Sequence, residues 1–231
     1  MSIERNLLIS LLKMTEKGAV KQEEINIDSK LPKSATSFLL QNLQSQNLVY
    51  LEGDKITVNP QSRIKLAVKA VQIGADVENV SNYLSWQEFE SIAALALEYN
   101  GYTTKKNMRF KHNGRRWEID VVGCRKPLVL CVDCKHWTHG MHFSTLRKMV
   151  EAQSNRVEAF AEFLPNKAAD LPCLQWEKAK FIPIILSLVP FGEKFYGQVP
   201  VVPVLMLQDF ISQVPLHVDS LRHVNRVFSH L

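Results

Sequence analysis

A chain of 231 residues can bury one large core or two small ones, and we read two domains. Its 46 % hydrophobic and 22 % charged residues, without a Gly/Ser, Gln or Pro tract, exclude a disordered or low-complexity protein. The net charge of +5 is concentrated: Tyr99 to Val150 holds eleven Lys and Arg against three Asp and Glu, a local excess of +8, while the remainder nets −3. Such a segment is either a solvated basic face or a surface that draws a polyanion. The longest apolar run, Phe181 to Phe191, is broken by Pro183 and Pro190 and falls short of the roughly 20 residues of a membrane span. It reads as a buried strand. Glu4 and Arg5 sit inside a helical pattern and no small-residue cleavage site follows, so a cytosolic protein with no membrane partner is expected. In that setting Cys124, Cys131, Cys134 and Cys173 read as buried small hydrophobes rather than disulfides.

In chain order, Ile3, Leu7, Leu8, Leu11 and Leu12 recur at helical spacing and predict an amphipathic helix to Met14. A short helix follows around Lys21 to Ile27, and Pro32 opens a third whose stripe is Phe38, Leu39 and Leu43. Leu48 to Leu51, the turn Glu52-Gly53-Asp54, and Lys55 to Val58 read as a hairpin. Three helices and then a hairpin is the order of a winged helix, in which the Pro32–Gln46 helix would enter a major groove in DNA-binding members, dimerisation or docking of a partner being the alternative. A helix from about Gln61 to Ile73 links to the next domain, and Gly74 ends it. The expected domains are thus residues 1–60, a linking helix at 61–80, and 81–231. In the last of these, a helix with Phe89, Ile92 and Ala93 ends near Asn100-Gly101, and basic residues come next. The strands Arg116–Gly123 and Leu128–His136 then pair around Lys126-Pro127. A helix over Phe143–Phe163, strands at Lys180–Leu188 and Val199–Met206, and a final helix near Asp209 complete an α/β mixed sheet flanked by helices.

The two paired strands carry the chemistry. Alternation puts Asp133 and Lys135 on one face, with Cys131 beside them, and puts Glu118 and Asp120 on one face of the preceding strand. Two buried carboxylates side by side repel unless a divalent cation neutralises both, and hard oxygen donors suit Mg²⁺ or Mn²⁺. Such an ion can lower the pKa of an attacking water, and an ammonium at Lys135 can stabilise charge building on phosphorus. The ordinary alternative is an ion pair of Asp120 and Asp133 with Lys135 or a nearby Arg. Asp-x-Lys alone is common; its pairing with an Asp thirteen residues upstream raises its specificity.

Trp86-Gln-Glu-Phe89-Glu90, then Gly101-Tyr102, Glu118-Ile119-Asp120 and Cys131-Val-Asp133-Cys-Lys135 resemble the PD-(D/E)xK nuclease superfamily, closest to its Mrr-like restriction endonuclease branch. The match covers about Ser81 to Phe163 and lies in order and spacing together. It implies a restriction-endonuclease-like domain in which Asp120 and Asp133 bind the metal, with the Cys134 carbonyl as a third ligand. It also implies that Lys135 is the catalytic lysine and that Glu90 is a helix-borne acid completing the shell. Glu88 and Glu98 are the rivals of Glu90 for that place. Where the branch carries Gln-x-x-x-Tyr, this chain has Gln153 followed by Val157, so half of the motif is absent. Glu118 lies outside the pattern and is either a supporting acid or a partner for Arg115 or Arg116.

The reading is a Mg²⁺- or Mn²⁺-dependent DNA endonuclease, with Lys105, Lys106, Arg109, Lys111, Arg115 and Arg116 on the phosphates and no nucleotide cofactor. A homodimer is expected, because one such centre cuts one strand. The rivals are a structure-specific resolvase or repair nuclease on the same fold, and a non-catalytic DNA-binding protein. Zinc between Cys131 and Cys134 is disfavoured because alternate strand residues face opposite sides. His136, His139 and His142 read as polar loop residues near the DNA rather than as a zinc site. Trp117 and Trp137 read as core packing, with base stacking the alternative.

Overall fold

The computed structural model describes residues 3–76, 79–80, 82–135, 143–164, 170–188, 190 and 194–228. They divide into two compact units, one running to Phe89 and the other from Glu90 onward. The division falls within a helix.

In the first unit, α1 (Ile3–Met14) buries Leu7, Leu8, Leu11 and Leu12 completely, as its spacing predicts. The expected short helix is α2 (Gln22–Ser29), and α3 (Lys33–Ser45) follows Pro32. Strands β2 (Tyr50–Glu52) and β3 (Lys55–Thr57) form the expected hairpin, and β1 (Val20–Lys21) pairs antiparallel with β3 to make three strands. Helix α4 (Pro60–Gln72) starts where the Asn59 side chain accepts the Ser62 N–H at 2.7 Å, with Pro60 in the first turn.

Arg63 of α4 is 3 % exposed, and its guanidinium is fully engaged. It donates to Glu88 Oε1 at 2.6 Å, the Leu12 carbonyl at 2.7 Å, Thr15 Oγ1 at 2.8 Å and the Tyr83 carbonyl. Glu88 in turn accepts the Ser85 N–H at 2.7 Å while Ser85 Oγ accepts the Glu88 N–H. This reciprocal pair is a capping box at the start of α5 (Trp86–Tyr99).

The second unit is a mixed sheet flanked by helices, the fold class expected. Its strands are β4 (Thr103–His112), β5 (Arg115–Arg125), β6 (Leu128–Cys134), β7 (Lys178–Ser187), β8 (Phe195–Tyr196), β9 (Val199–Pro203) and β10 (Val224–Val227). Their order is β4-β5-β6-β7-β9-β8, antiparallel through β6, with β6, β7 and β9 parallel. β10 pairs antiparallel with the first residues of β7. Helix α5 ends at Gly101, whose φ of 77° is the left-handed turn that glycine adopts without strain, and the Tyr102 N–H bonds back to the Leu97 carbonyl. A Cβ on Gly123 would stand 2.9 Å from Leu97, so α5 lies close against β5 at that position. On the opposite side α6 (Phe143–Phe163) crosses from β6 to β7. Its Phe160 lies 5.2 Å from Phe110 of β4 and 6.0 Å from Phe181 of β7, ring centre to ring centre, within one buried cluster. Helix α7 (Leu207–His217) closes the unit.

Three departures from the sequence reading stand out. The basic stretch after Gly101 is itself a ten-residue strand, β4, while β8 and β10 carry no signal at their short lengths. The segment read as a strand from Val199 to Met206 is strand only to Pro203, then one 3₁₀ turn. As the sequence reading expects, all four cysteines are buried and free. No described helix is long and apolar enough to cross a membrane.

Candidate active site

Asp133 is the buried centre of the site. It lies near the end of β6 in register with Ile185 of β7, is 3 % exposed, and is surrounded by apolar strand residues. The Lys135 N–H bonds the Leu186 carbonyl at 3.0 Å, so the parallel pairing continues past Cys134 and fixes Lys135. Lys135 Nζ then lies 2.7 Å from Asp133 Oδ2. The other oxygen is taken by a residue the sequence reading missed: Arg156 Nη1 of α6 donates to Asp133 Oδ1 at 2.8 Å. Arg156 also donates to Gln153 Oε1, and the fully buried Gln153 donates to the Cys131 carbonyl at 2.8 Å. Gln153 thus pins α6 to the β6 backbone and holds Arg156, three residues on and on the same helix face. Val157, in the place of the absent tyrosine, is buried in the core.

Asp120 reaches the same place from β5, its Oδ2 accepting the Cys134 N–H at 2.6 Å. Burial first, and then the charge of Asp133, push its carboxyl from an ordinary 3.8 up to about 6, against the pull of the Cys134 N–H, Lys135 and Arg156. A carboxyl raised in the folded state holds its proton after the unfolded chain has lost it, so its contribution to stability is lost as pH rises from about 4 to about 6. Asp120→Asn keeps the shape without the charge. Its advantage over the wild type in metal-free buffer should therefore grow across that window, read as the difference in urea midpoints; a pH-independent difference refutes this.

Glu118 and Asp120 flank the core-facing Ile119, but the structure ties the Glu118 carboxylate elsewhere. Trp117 and Ile119 pack against the core beneath α6, and so do Val122 and Cys124, so the two-residue rhythm shifts phase between Ile119 and Val122. The shift falls where Asp120 stands opposite Asn107, whose φ is 53°. Such irregularities re-aim a side chain beside a site. Glu118 instead bonds Arg109 across the β4–β5 pair, at 3.1 and 3.2 Å, rather than Arg115 or Arg116.

Of the three helix acids, Glu88 is committed to Arg63 and Ser85, and Glu98 accepts from Thr104 Oγ1. Glu90 accepts from Asn107 Nδ2 at 3.2 Å. It also lies near enough to Cys134 that its charge, after burial and after Asp120 and Asp133, helps to push that thiol up. Asn107 had no signal in the sequence beyond its place in a basic run.

The basic residues follow β4 and β5. Lys106, Arg109, Lys111, Arg115 and Arg116 are exposed and Lys105 half-buried. Lys111 stands opposite Arg116, and Arg115 lies 4.0 Å over the Trp117 ring. A groove of about 540 Å³ is lined by Arg109, Phe110, Lys111, Arg116, Trp117 and Glu118. An apolar cavity of about 390 Å³ beside α7, lined in part by Phe195, Phe210 and His217, shares no residue with the acidic cluster. His136, His139, His142 and Trp137 lie outside the described residues.

The donor set suits a hard divalent ion: two carboxylates on adjoining strands, one of them raised by burial and then by the other's charge. Among the described residues no three His, Cys, Asp or Glu side chains gather to hold a metal. Backbone or water oxygens would have to complete the coordination.

No protein-family model matches the chain. A protein of Archaeoglobus fulgidus bearing the name "Uncharacterized protein" is 30 % identical over 132 residues, which is 57 % of this chain and 92 % of that protein. The chain belongs to that protein's family. Among solved structures, protein VC1899 from Vibrio cholerae is 15 % identical with a TM-score of 0.38 over 94 % of this chain. The restriction endonuclease FokI is 13 % identical with a TM-score of 0.36 over 93 %. The chain spans 50 % and 44 % of those two proteins respectively.

Proposed function

We propose that the protein is a metal-dependent DNA endonuclease of the PD-(D/E)xK superfamily, akin to its Mrr-like branch. The observation that carries the reading is the meeting of Asp120 with Asp133 and its ion-paired Lys135, on strands continuous with an exposed basic hairpin. Asp120, Asp133 and the Cys134 carbonyl would hold Mg²⁺ or Mn²⁺, with Glu90 on its Asn107 anchor as the further acid. Bound there, the ion would neutralise the carboxylates and lower the pKa of a coordinated water. Lys135, held by Asp133, would stabilise negative charge on the scissile phosphate.

Lys105, Lys106, Arg109, Lys111, Arg115 and Arg116 would track the backbone. Replacing Arg109, Lys111 and Arg116 together with Gln should weaken DNA binding across sequences and flatten the dependence of log K on log salt by roughly 2 to 3. An unchanged slope removes the hairpin from the interface. The first unit, with three helices and a hairpin wing, would act as a winged helix. Its α3 presents Lys33, Ser34, Phe38, Gln41 and Asn42 to solvent. Double-strand cleavage would take two copies, and a cytoplasmic site of action follows from a DNA substrate.

The charge balance favours a second reading. Asp120, Asp133, Lys135 and Arg156 cancel without a metal, as in a nuclease scaffold kept for DNA binding alone. Nicking of supercoiled plasmid with Mg²⁺ or Mn²⁺ separates the two, and a panel of linear, branched, flapped and methylated DNA separates a restriction role from a resolvase or repair role. DNA binding without cleavage of any of these substrates decides for the scaffold.

A further inference from the structure

The carboxylate expected to bind the cation already has both oxygens engaged, one by Lys135 and one by Arg156. Lys135 belongs to the superfamily pattern; Arg156 does not. Its side chain is about four-fifths buried, and its guanidinium is held from behind by Gln153, which is itself bonded to the β6 backbone. A guanidinium does not lose its proton in a protein, so it can yield Asp133 only by moving or by sharing. We propose that Arg156 is a positioning residue that serves as the metal-free counter-ion of Asp133 and competes with the divalent ion for Asp133 Oδ1, thereby setting the affinity of the centre.

The proposal rests on the nuclease reading for the identity of the site, though not on catalysis. Three features support it. Arg156 meets the oxygen that Lys135 leaves free. Asp133 is too buried to stand as an anion without such partners. Gln153 restrains the guanidinium through a single side-chain bond, so a modest rotation about the Arg156 side chain frees Asp133 while Gln153 stays bonded to Cys131. Arg156 is thus a built-in substitute for the ion, and it keeps the metal-free site folded at the expense of metal affinity.

The test is Mn²⁺ binding by the full-length chain, followed by the electron paramagnetic resonance signal of the free ion, in the wild type and Arg156→Gln. Thermal unfolding is recorded with and without Mn²⁺. Removing a unit charge from beside the ion should tighten Mn²⁺ binding about tenfold or more. The metal-free variant should melt roughly 5 °C lower, with a larger upward shift on adding Mn²⁺. A residue with a merely structural role would leave the affinity unchanged or weaken it. Equal or weaker binding by a folded Arg156→Gln protein, or no binding by either protein, overturns the proposal. If Arg156→Gln is unfolded without metal, refolding by Mn²⁺ supports the proposal and failure to refold overturns it. Plasmid nicking in parallel keeps the two readings apart. Tighter Mn²⁺ binding by the variant without cleavage of any DNA by the wild type removes the nuclease and leaves this inference standing; cleavage with equal affinities does the reverse.

Discussion

Asp133→Asn should lower metal-dependent plasmid nicking by about 10³-fold or more while leaving DNA affinity unchanged. The substitution is nearly isosteric, so the β6 backbone pairing with β7 and the buried packing around residue 133 persist. What goes is the charge that would draw the cation and that pairs with Lys135 and Arg156. Lys135→Gln should cost roughly 10²-fold or more, because in the proposed function the ammonium 2.7 Å from Asp133 would meet charge on phosphorus. Both are measured at DNA concentrations that saturate binding, so that a lost hairpin contact cannot imitate lost chemistry. If either variant cuts as fast as the wild type, the assigned centre is wrong. If both lose cleavage while the Arg109, Lys111 and Arg116 substitutions mainly weaken binding, chemistry and positioning are separate functions of adjoining parts of one sheet.

Arg63→Met should destabilise the amino-terminal unit by about 3–5 kcal/mol, the usual cost of leaving the partner of a buried ion pair uncompensated. Arg63 and Glu88 are 3 % and 7 % exposed, so water does not replace the lost bond. The guanidinium also satisfies the Leu12 and Tyr83 carbonyls and Thr15 Oγ1, so one substitution leaves several buried acceptors unpaired. Chemical denaturation followed by circular dichroism reads the effect. Adding Glu88→Leu should recover part of the loss, since the stranded charge is then gone; a double variant less stable than Arg63→Met by the full cost of a second independent substitution contradicts this account. Glu88→Gln should be milder, as the amide oxygen can still accept from Ser85.

The meeting of Asp120, Asp133 and Lys135 was legible because its signals are local. Asp133 and Lys135 lie two apart on one strand, and Asp120 sits on the strand that the Lys126-Pro127 turn folds back beside it. Choosing among Glu88, Glu90 and Glu98 was not legible. All three lie on α5, and only the neighbours that packing supplies, Arg63, Asn107 and Thr104, distinguish them. The partner of Glu118 was hidden for a related reason. It is Arg109, on a strand that the basic run after Gly101 does not announce.

Periodicity and turn chemistry in the sequence alone determined the long helices, the central apolar strands, the β2–β3 hairpin and the nearness of Asp120, Asp133 and Lys135, because each depends on residues within a few positions of one another or across one short turn. The tertiary structure alone decided that Arg156 closes on Asp133, that Asn107 holds Glu90, that Arg63 captures Glu88, and that β10 returns to pair with the start of β7. Each of these joins groups 17 or more residues apart. A buried charge takes whichever opposite charge the packing brings within reach, and that choice belongs to the packed elements rather than to any one segment.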